Sequence, residues 1–315
     1  MALTVGVDVG GTKVAAGVVD EDGQVVAQVR RATSAQVKGA AEQTIADLVL
    51  ELAKTHPVEA VGVGAAGLVD ETRSVVRFAP NLGWREQPLR SLLEAATGLP
   101  VVVENDANAA AWAEYRFGAA RGRDDVVMVT VGTGIGGALI ADGMLYRGGF
   151  GLAGEIGHLV LDPDGPPCGC GRRGCWEQYA SGNALLRDAR ARAAEDREGA
   201  RLLLSLGDGT PEGVAGAHIT TAARQGDPVA LAVFAHAGHW LGWGMAELAA
   251  VLDPRCYVVG GGVSEAGELL LAPARVAFAG HLMGASVRPA AEIVIAELGN
   301  TAGMVGAAEL ARVRH

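Results

Sequence analysis

Residues Val101 to Tyr115 read VVVENDANAAAWAEY. Three β-branched residues make a short buried strand, and the Ala-rich run that follows makes a helix. Asp106 therefore stands where a strand ends and a helix begins. In open α/β sheets ligands bind beyond the carboxyl ends of the strands. Asn105 or Asp106 is a favoured helix cap. A cap uses one such residue, yet Glu104, Asn105, Asp106 and Asn108 crowd into this junction. The surplus is polar capacity that capping does not use.

Working outward, Leu3 to Asp8, Lys13 to Val19 and Gln24 to Ala32 read as strands of an antiparallel meander. The turns between them are Gly10-Gly11-Thr12 and Asp20-Glu21-Asp22-Gly23. Gly39 to Thr55 reads as a helix, Val58 to Gly64 as a buried strand, and Leu89 to Thr97 as the helix that leads to Val101. The string TVGVDVGGTKVAAGVVDEDG (Thr4 to Gly23) resembles VMVTVGTGIGGALIADG (Val127 to Gly143). Each is strand, glycine turn, strand, Asp-Gly turn, and each opens a block after a helical stretch. The second block, from about Ala109, would hold strands at Val126, Ile135 and Tyr257, and helices at Ala184, Thr220, Val229 and Glu268. Two similar halves imply an α/β chain of two domains facing each other across a cleft.

The chain has 315 residues, a net charge of −10 and only 4% aromatic residues, so its core is built from Ala, Val and Leu. The acidic balance argues against nucleic acid, whose phosphates select basic patches. The start of the chain lacks the regions of a signal peptide, and clustered cysteines do not resemble a disulfide framework, which together point to the cytoplasm. Val229 to Leu252 has the length of a membrane span, but His236, His239 and Glu247 would be costly in lipid. It reads instead as a long helix, capped by Asp227-Pro228, in the core or at a subunit contact.

Four motifs carry chemistry. In Asp8-Val9-Gly10-Gly11-Thr12-Lys13 a glycine turn lets backbone N–H groups approach phosphate oxygens, and Asp8 would hold a metal ion or its waters. An ordinary Gly-Gly hairpin explains this turn equally well by itself. Gly132-Thr133-Gly134-Ile135-Gly136-Gly137 repeats it in the second half, which favours phosphate. Gly260-Gly261-Gly262, after a strand and before a helix start, adds a third glycine turn suited to a nucleotide. His158, Cys168, Cys170 and Cys175, with glycines between the cysteines, suit a tetrahedral zinc. Four protein ligands leave no open position, so the zinc would be structural, and Cys256 is left as a core residue. Glu155 and Glu177 flank that loop. Together with Asn81 and Asn105 they are what a sugar's hydroxyls need.

These motifs resemble the ROK family (repressor, open reading frame, kinase) and, within it, the bacterial ATP-dependent glucokinases. The resemblance runs from Asp8 to Gly306 through DVGGTK, AAGLVD, APNLGW, ENDANAAAWAEY, VTVGTGIGG, GEIGH, CGCGRRGCWEQYASG and VVGGGVS. It implies an actin-like (ribonuclease H-like) two-domain ATPase fold with a deep interdomain cleft. Residues 1–108 would form a small α/β domain against which the final helix, within 301–315, packs back. Residues 109–300 would form a large domain with the zinc loop 158–175. ATP would contact Asp8, Gly10, Gly11, Thr12, Lys13, Thr133, Gly134, Gly260, Gly261 and Gly262. The sugar would contact Gly67, Asn81, Asn105, Asp106, Glu155, His158 and Glu177. His158 would ligate zinc through one ring nitrogen and a sugar hydroxyl through the other.

The implied reaction is transfer of the γ-phosphoryl group of ATP to the 6-hydroxyl of glucose, with Asp106 as general base and Mg²⁺ near Asp8. The same chemistry on N-acetylglucosamine, N-acetylmannosamine, mannose or fructose stays open, as does polyphosphate as donor. A non-catalytic sugar-sensing protein is the alternative from another class, and a chaperone-type ATPase a third. The repressor branch carries a helix-turn-helix ahead of its first phosphate loop, for which a loop starting at residue 8 leaves no room. The family resemblance also implies a homo-oligomer, dimer or tetramer, with no membrane or nucleic-acid partner.

Overall fold

The computed structural model describes residues 2–32 and 39–313. Met1 and residues 33–38 of the expected first domain, and Arg314 and His315 of the expected final helix, lie outside the described residues. In chain order the elements are β1 (Leu3–Val9), β2 (Lys13–Val19), β3 (Val25–Ala32), α1 (Ala40–Ala53), β4 (Val58–Ala65), β5 (Leu68–Val69), β6 (Val76–Ala79), β7 (Trp84–Gln87), α2 (Leu89–Thr97), β8 (Val101–Asn105) and α3 (Asp106–Phe117). There follow β9 (Val126–Val131), β10 (Ile135–Ala141), β11 (Met144–Tyr146), α4 (Glu177–Ala180), α5 (Gly182–Glu195), α6 (Arg201–Ser205), α7 (Gly216–Arg224), α8 (Pro228–Leu252), β12 (Cys256–Gly260), α9 (Glu268–His281), β13 (Glu292–Ile295) and α10 (Ala302–Val313).

The first sheet runs β3-β2-β1-β4-β8, the second β11-β10-β9-β12-β13. Each has the order third, second, first, fourth, fifth within its half, so the weak repeat in sequence is a repeat in topology. In the first sheet β1 to β3 are antiparallel, and β1, β4 and β8 are parallel. The parallel strands are buried on both faces and read as continuous Val/Gly/Ala runs. The edge strand β3 instead alternates half-buried and exposed positions over Val25–Arg30 and is exposed at its end. A small sheet, β5-β6-β7, stands apart. Its third strand, WREQ, carries too little apolar pattern to be read from sequence.

The chain divides into two compact units, one of Met1–Met128, Ala138–Gly154 and Ala296–His315, the other of Val129–Gly137 and Glu155–Ile295. The first unit keeps α3, which the expected boundary at 108/109 assigns to the second domain. The reason is packing: Ala113 of α3 shares a buried cluster with Ala302, Val305 and Ala308 of α10 and Val19 of β2. Three glycines allow this approach. A Cβ on Gly62 would lie 3.1 Å from Ala308 N, and closer still to Ala307 O, and one on Gly6 would lie 2.8 Å from Met304 C. One on Gly306 would lie 2.6 Å from Ala109 C. Glu114, fully buried on α3, accepts hydrogen bonds from the backbone N–H groups of Ala119 (2.8 Å), Glu297 (3.1 Å) and Leu298 (2.8 Å). It thereby ties the segment that enters α10 to the helix that starts at Asp106.

In the second unit α8 is the long helix expected, with the Asp227 side chain accepting from Ala230 N at 2.9 Å and Pro228 in the first turn. Gly238 and Gly242 let it lie close to α9: a Cβ on Gly238 would meet Leu270 O at 2.7 Å. Among the described residues no helix is long and apolar enough to cross a membrane.

Candidate active site and metal centre

In the first unit the parallel strands β1, β4 and β8 end side by side. Asp8 pairs with Gly64, Gly64 with Glu104, and Ala65 with Asn105. The loops leaving these ends carry the expected residues. The Gly10-Gly11-Thr12 turn closes with Gly10 N–H donating to Lys13 O at 3.0 Å. Gly11 lies against Asn81, which stands on a short 3-10 turn, Pro80–Leu82; a Cβ on Gly11 would be 3.1 Å from Asn81 O. Gly67 follows β4, and its carbonyl accepts from Asn105 Nδ2 at 3.1 Å. Asp8 is half-buried, and burial raises its carboxyl pKa against the lowering pull of Lys13 and Arg30.

At the strand-to-helix junction the polar residues divide their work. Asn105 is the cap: its side-chain oxygen accepts from Ala107 N (2.9 Å) and Asn108 N (3.1 Å). Asp106 is the first residue of α3, with Oδ1 accepting from Ala107 N at 3.0 Å. Glu104 and Asn108 do not join a surplus of polar groups available to a ligand. Both are buried, and Asn108 Nδ2 donates to Glu104 Oε1 at 3.0 Å.

The second unit repeats this arrangement. Thr133 and Gly134 sit in the turn after β9, where Gly132 N–H donates to Gly134 O at 3.0 Å. The turn also receives the amino end of α5: Gly182 N–H donates to Gly132 O (2.8 Å) and Asn183 N–H to Thr133 O (3.4 Å). Ser181 caps that helix, accepting from Ala184 N at 3.2 Å. Gly260 ends β12. Gly261 has φ 85, and a Cβ there would lie 2.5 Å from Val131 O, so the two glycine turns pack directly on each other. Gly262 starts a five-residue 3-10 turn, Gly262–Ala266, which Gly267 ends before α9. The expected α-helix start after the glycines is thus replaced by a 3-10 turn. A cavity of about 710 Å³ opens beside these turns, lined by Thr133, Asn183, Gly216, Thr220, Arg224, Phe234, Gly262 and Glu265 among others. Its size and mixed lining suit a nucleotide-sized ligand.

The sequence reading missed the contributions of α5 and α7 to this cavity. Ser181-Gly182-Asn183 carried a helix-start signal that marks the α5 wall. Gly216, Thr220 and Arg224 on α7 carried none.

His158, Cys168, Cys170 and Cys175 converge, with their ligand atoms all within 4.8 Å of one another. Cys168 Sγ is 3.6 Å from His158 Nδ1, and Cys170 Sγ 3.6 Å from Cys175 Sγ. Edges of about 3.8 Å are what a tetrahedron of sulfurs at a Zn–S bond of about 2.3 Å requires, so this donor set fits zinc. Burial pushes the Cys168 thiol up to about 12, whereas the Arg172 backbone N–H draws Cys170 down to about 6. The loop is held from outside by Arg172, which donates to His158 O at 2.7 Å, and by Trp176 N–H donating to Leu159 O at 2.7 Å.

Trp176 is fully buried beneath this loop, its Nε1 donating to Trp240 O at 2.8 Å. Glu177 links the cluster to the glycine turn. Its Oε1 accepts from Cys168 Sγ at 3.0 Å, and its Oε2 would lie 2.6 Å from a Cβ on Gly134. His158 Nε2 faces Glu155 Oε2 at 3.9 Å. Partial burial holds the Glu155 carboxyl above its ordinary value, with His158 opposing. The expected residues thus fall in two groups, Asp8, Gly10, Gly11, Thr12, Lys13, Gly67, Asn81, Asn105 and Asp106 in the first unit and the remainder in the second.

Comparison with known proteins agrees with this arrangement. The ROK family model matches residues 4–314. The glucokinase of Streptomyces coelicolor is 52% identical over 312 residues, covering 99% of this chain and 98% of that protein. The glucokinase of Thermotoga maritima is 38% identical, covering 98% and 97%. Among solved structures, a ROK family glucokinase from Streptomyces griseus in complex with glucose and AMPPNP is 54% identical, with a TM-score of 0.91 over 99% of this chain and 100% of that one. The two-domain α/β architecture is therefore the actin-like ATPase fold. Matched along its whole length in sequence and in fold, the chain belongs to the ROK family.

Proposed function

We propose that this protein transfers the γ-phosphoryl group of ATP to the 6-hydroxyl of glucose. The observation that carries the reading is full-length likeness, at 54% identity, to a chain solved with glucose and AMPPNP. Asp106 is the general base: a carboxylate at the first position of α3 accepts the hydroxyl proton as the oxygen attacks phosphorus. Phosphoryl transfer asks mainly for positioning and charge stabilisation, so a weak base suffices. Asn105 caps α3 and holds Gly67, which keeps the carboxylate at a fixed height above the sheet.

The cavity beside Thr133, Asn183 and Gly262 takes the nucleotide. Mg²⁺, when bound, neutralises charge on the transferring phosphates, and the half-buried Asp8 carboxylate fits its coordination sphere. His158, Cys168, Cys170 and Cys175 hold a structural zinc that fixes the loop presenting Glu155, His158 and Glu177 to the sugar. The clustered thiols of Cys168, Cys170 and Cys175 support a reducing, cytoplasmic setting. The family likeness that supports the activity also supports a homo-oligomer, dimer or tetramer.

The test is ADP release from Mg·ATP with glucose, N-acetylglucosamine, N-acetylmannosamine, mannose, fructose or no sugar. Release strongest with glucose and near zero without sugar is expected. Strongest release with an acetylated sugar moves the substrate, and equal release with and without sugar makes the protein an ATPase.

A further inference from the structure

The buried carboxylate beside the proposed base has no part in the reaction as so far described. Glu104 is the last but one residue of β8 and only 2% exposed. It is surrounded by donors on both sides. Oε1 accepts from Asn105 N and from Asn108 Nδ2, each at 3.0 Å. Oε2 accepts from Arg147 Nε at 2.6 Å, and Arg73 Nε lies 3.4 Å away. Two of these contacts land in the first turn of α3, one residue before Asp106 and two after it. The other two reach distant chain: Arg73 in the loop between β5 and β6, and Arg147 just after β11. Charge-assisted bonds in a buried setting are the strong, geometry-fixing kind.

We propose that Glu104 is a positioning residue for Asp106, fixing the first turn of α3 by clamping it to the guanidinium groups of the half-buried Arg147 and the buried Arg73. The proposal rests on Asp106 as the base. Glu104 reaches neither solvent nor substrate; it acts only through the turn it holds. Its chemistry has to be a carboxylate. A Gln amide has one oxygen and one nitrogen, so whichever way it turns, one side meets N–H with N–H. Arg147 is likewise specific. Lysine keeps the charge but puts a methylene where Nε stands, so the 2.6 Å bond is lost. Its side chain is 21% exposed, which makes Arg147→Lys the gentler of the two probes.

The experiment is steady-state kinetics with glucose and Mg·ATP on Arg147→Lys, Glu104→Gln, Asp106→Asn and the double variant Arg147→Lys/Asp106→Asn, each checked for folding by circular dichroism. A displacement of about 1 Å can cost about 10²-fold in rate. Arg147→Lys and Glu104→Gln are expected to lower kcat at least about tenfold, with the KM for ATP within about twofold of the parent. The double variant is expected to be no slower than Asp106→Asn alone, because a residue that acts through Asp106 has nothing left to position.

Unchanged kcat in Arg147→Lys, or a double variant slowed by the product of the two single effects, overturns the proposal. Should Glu104→Gln fail to fold, Arg147→Lys and its double variant decide alone. Near-normal turnover in Asp106→Asn would instead remove the base itself, and the positioning role with it. An inactive Asp106→Asn beside a fully active Arg147→Lys removes only the role of Glu104.

Discussion

Gly244→Ala in α8 isolates the support beneath the proposed zinc loop. A Cβ at Gly244 would lie 2.6 Å from Trp176 Cζ2, and closer to Cε2. The ring has to retreat by about 1 Å, and overpacking of that kind costs about 1–3 kcal/mol. Alanine in a helix interior returns about 1 kcal/mol of propensity over glycine. The net loss is therefore at most about 2 kcal/mol, and Trp176 is bonded in sequence to Cys175 and Glu177, the two residues that would feel it first. If the whole loss reaches the metal ligands, zinc affinity weakens by up to about 30-fold, since 1.4 kcal/mol is tenfold. The assay is zinc transfer to a chromogenic chelator, read beside the glucose KM. Faster zinc loss and a raised glucose KM are expected, with both reversed in Gly244→Ala/Trp176→Phe, where the smaller ring leaves room. Zinc retention and KM equal to the parent would refute the reasoning, because they would show the ring giving way without disturbing the loop.

Cys170→Ser should lose zinc and glucose affinity together; a metal analysis of the parent protein that finds no zinc would end the metal reading at once. Gly261→Ala should raise the KM for ATP severalfold, since the residue sits at φ 85 with Val131 O only 2.5 Å from a new Cβ; an unchanged KM would detach this turn from the nucleotide. Asp70 gives a pH prediction. Although burial pulls the other way, bonds from Thr72 Oγ1 (2.6 Å) and from Ser74 N and Val75 N (both 2.9 Å) hold its carboxyl below the ordinary value. A depressed pKa stabilises the fold above the unfolded value of about 3.9, and the contribution fades as pH falls through the folded one. Asp70→Asn should therefore lower the denaturation midpoint at pH 7, with the gap to the parent narrowing below about pH 4; a gap that stays constant would show that the charge is not what matters.

What could be read from sequence was local. Glycine turns, the Asn105 cap, the His158 and cysteine loop and the long α8 each declare themselves within a few residues, and each is found in place. Where reading went astray, the deciding contacts are distant in the chain. Glu104 and Asn108 looked like spare polar groups because nothing near them in sequence announces Arg73 and Arg147. Helix α3 looked like the start of a second domain because its partner, α10, is almost two hundred residues away. The cavity beside the glycine turns of the second unit was half seen, since its glycine walls have a signature and its α7 wall is an ordinary helix. Short strands such as β11 and β13 are three and four residues long, too brief for a period to establish itself.

The three glycine contacts that seat α10 on β1, β4 and α3 also set an order of events during synthesis. The first unit needs residues from both ends of the chain, whereas the second uses only 129–137 and 155–295. At about 5–20 residues per second, the first sheet, finished at Asn105, waits roughly 10–40 s for the helix that ends at Val313 and covers it. During that interval Gly6 and Gly62 mark an open groove on an otherwise finished sheet, and the second unit can fold first although it is encoded later. A ribosome stalled before residue 302 would thus carry the whole sequence of the second unit and a first unit still lacking its covering helix.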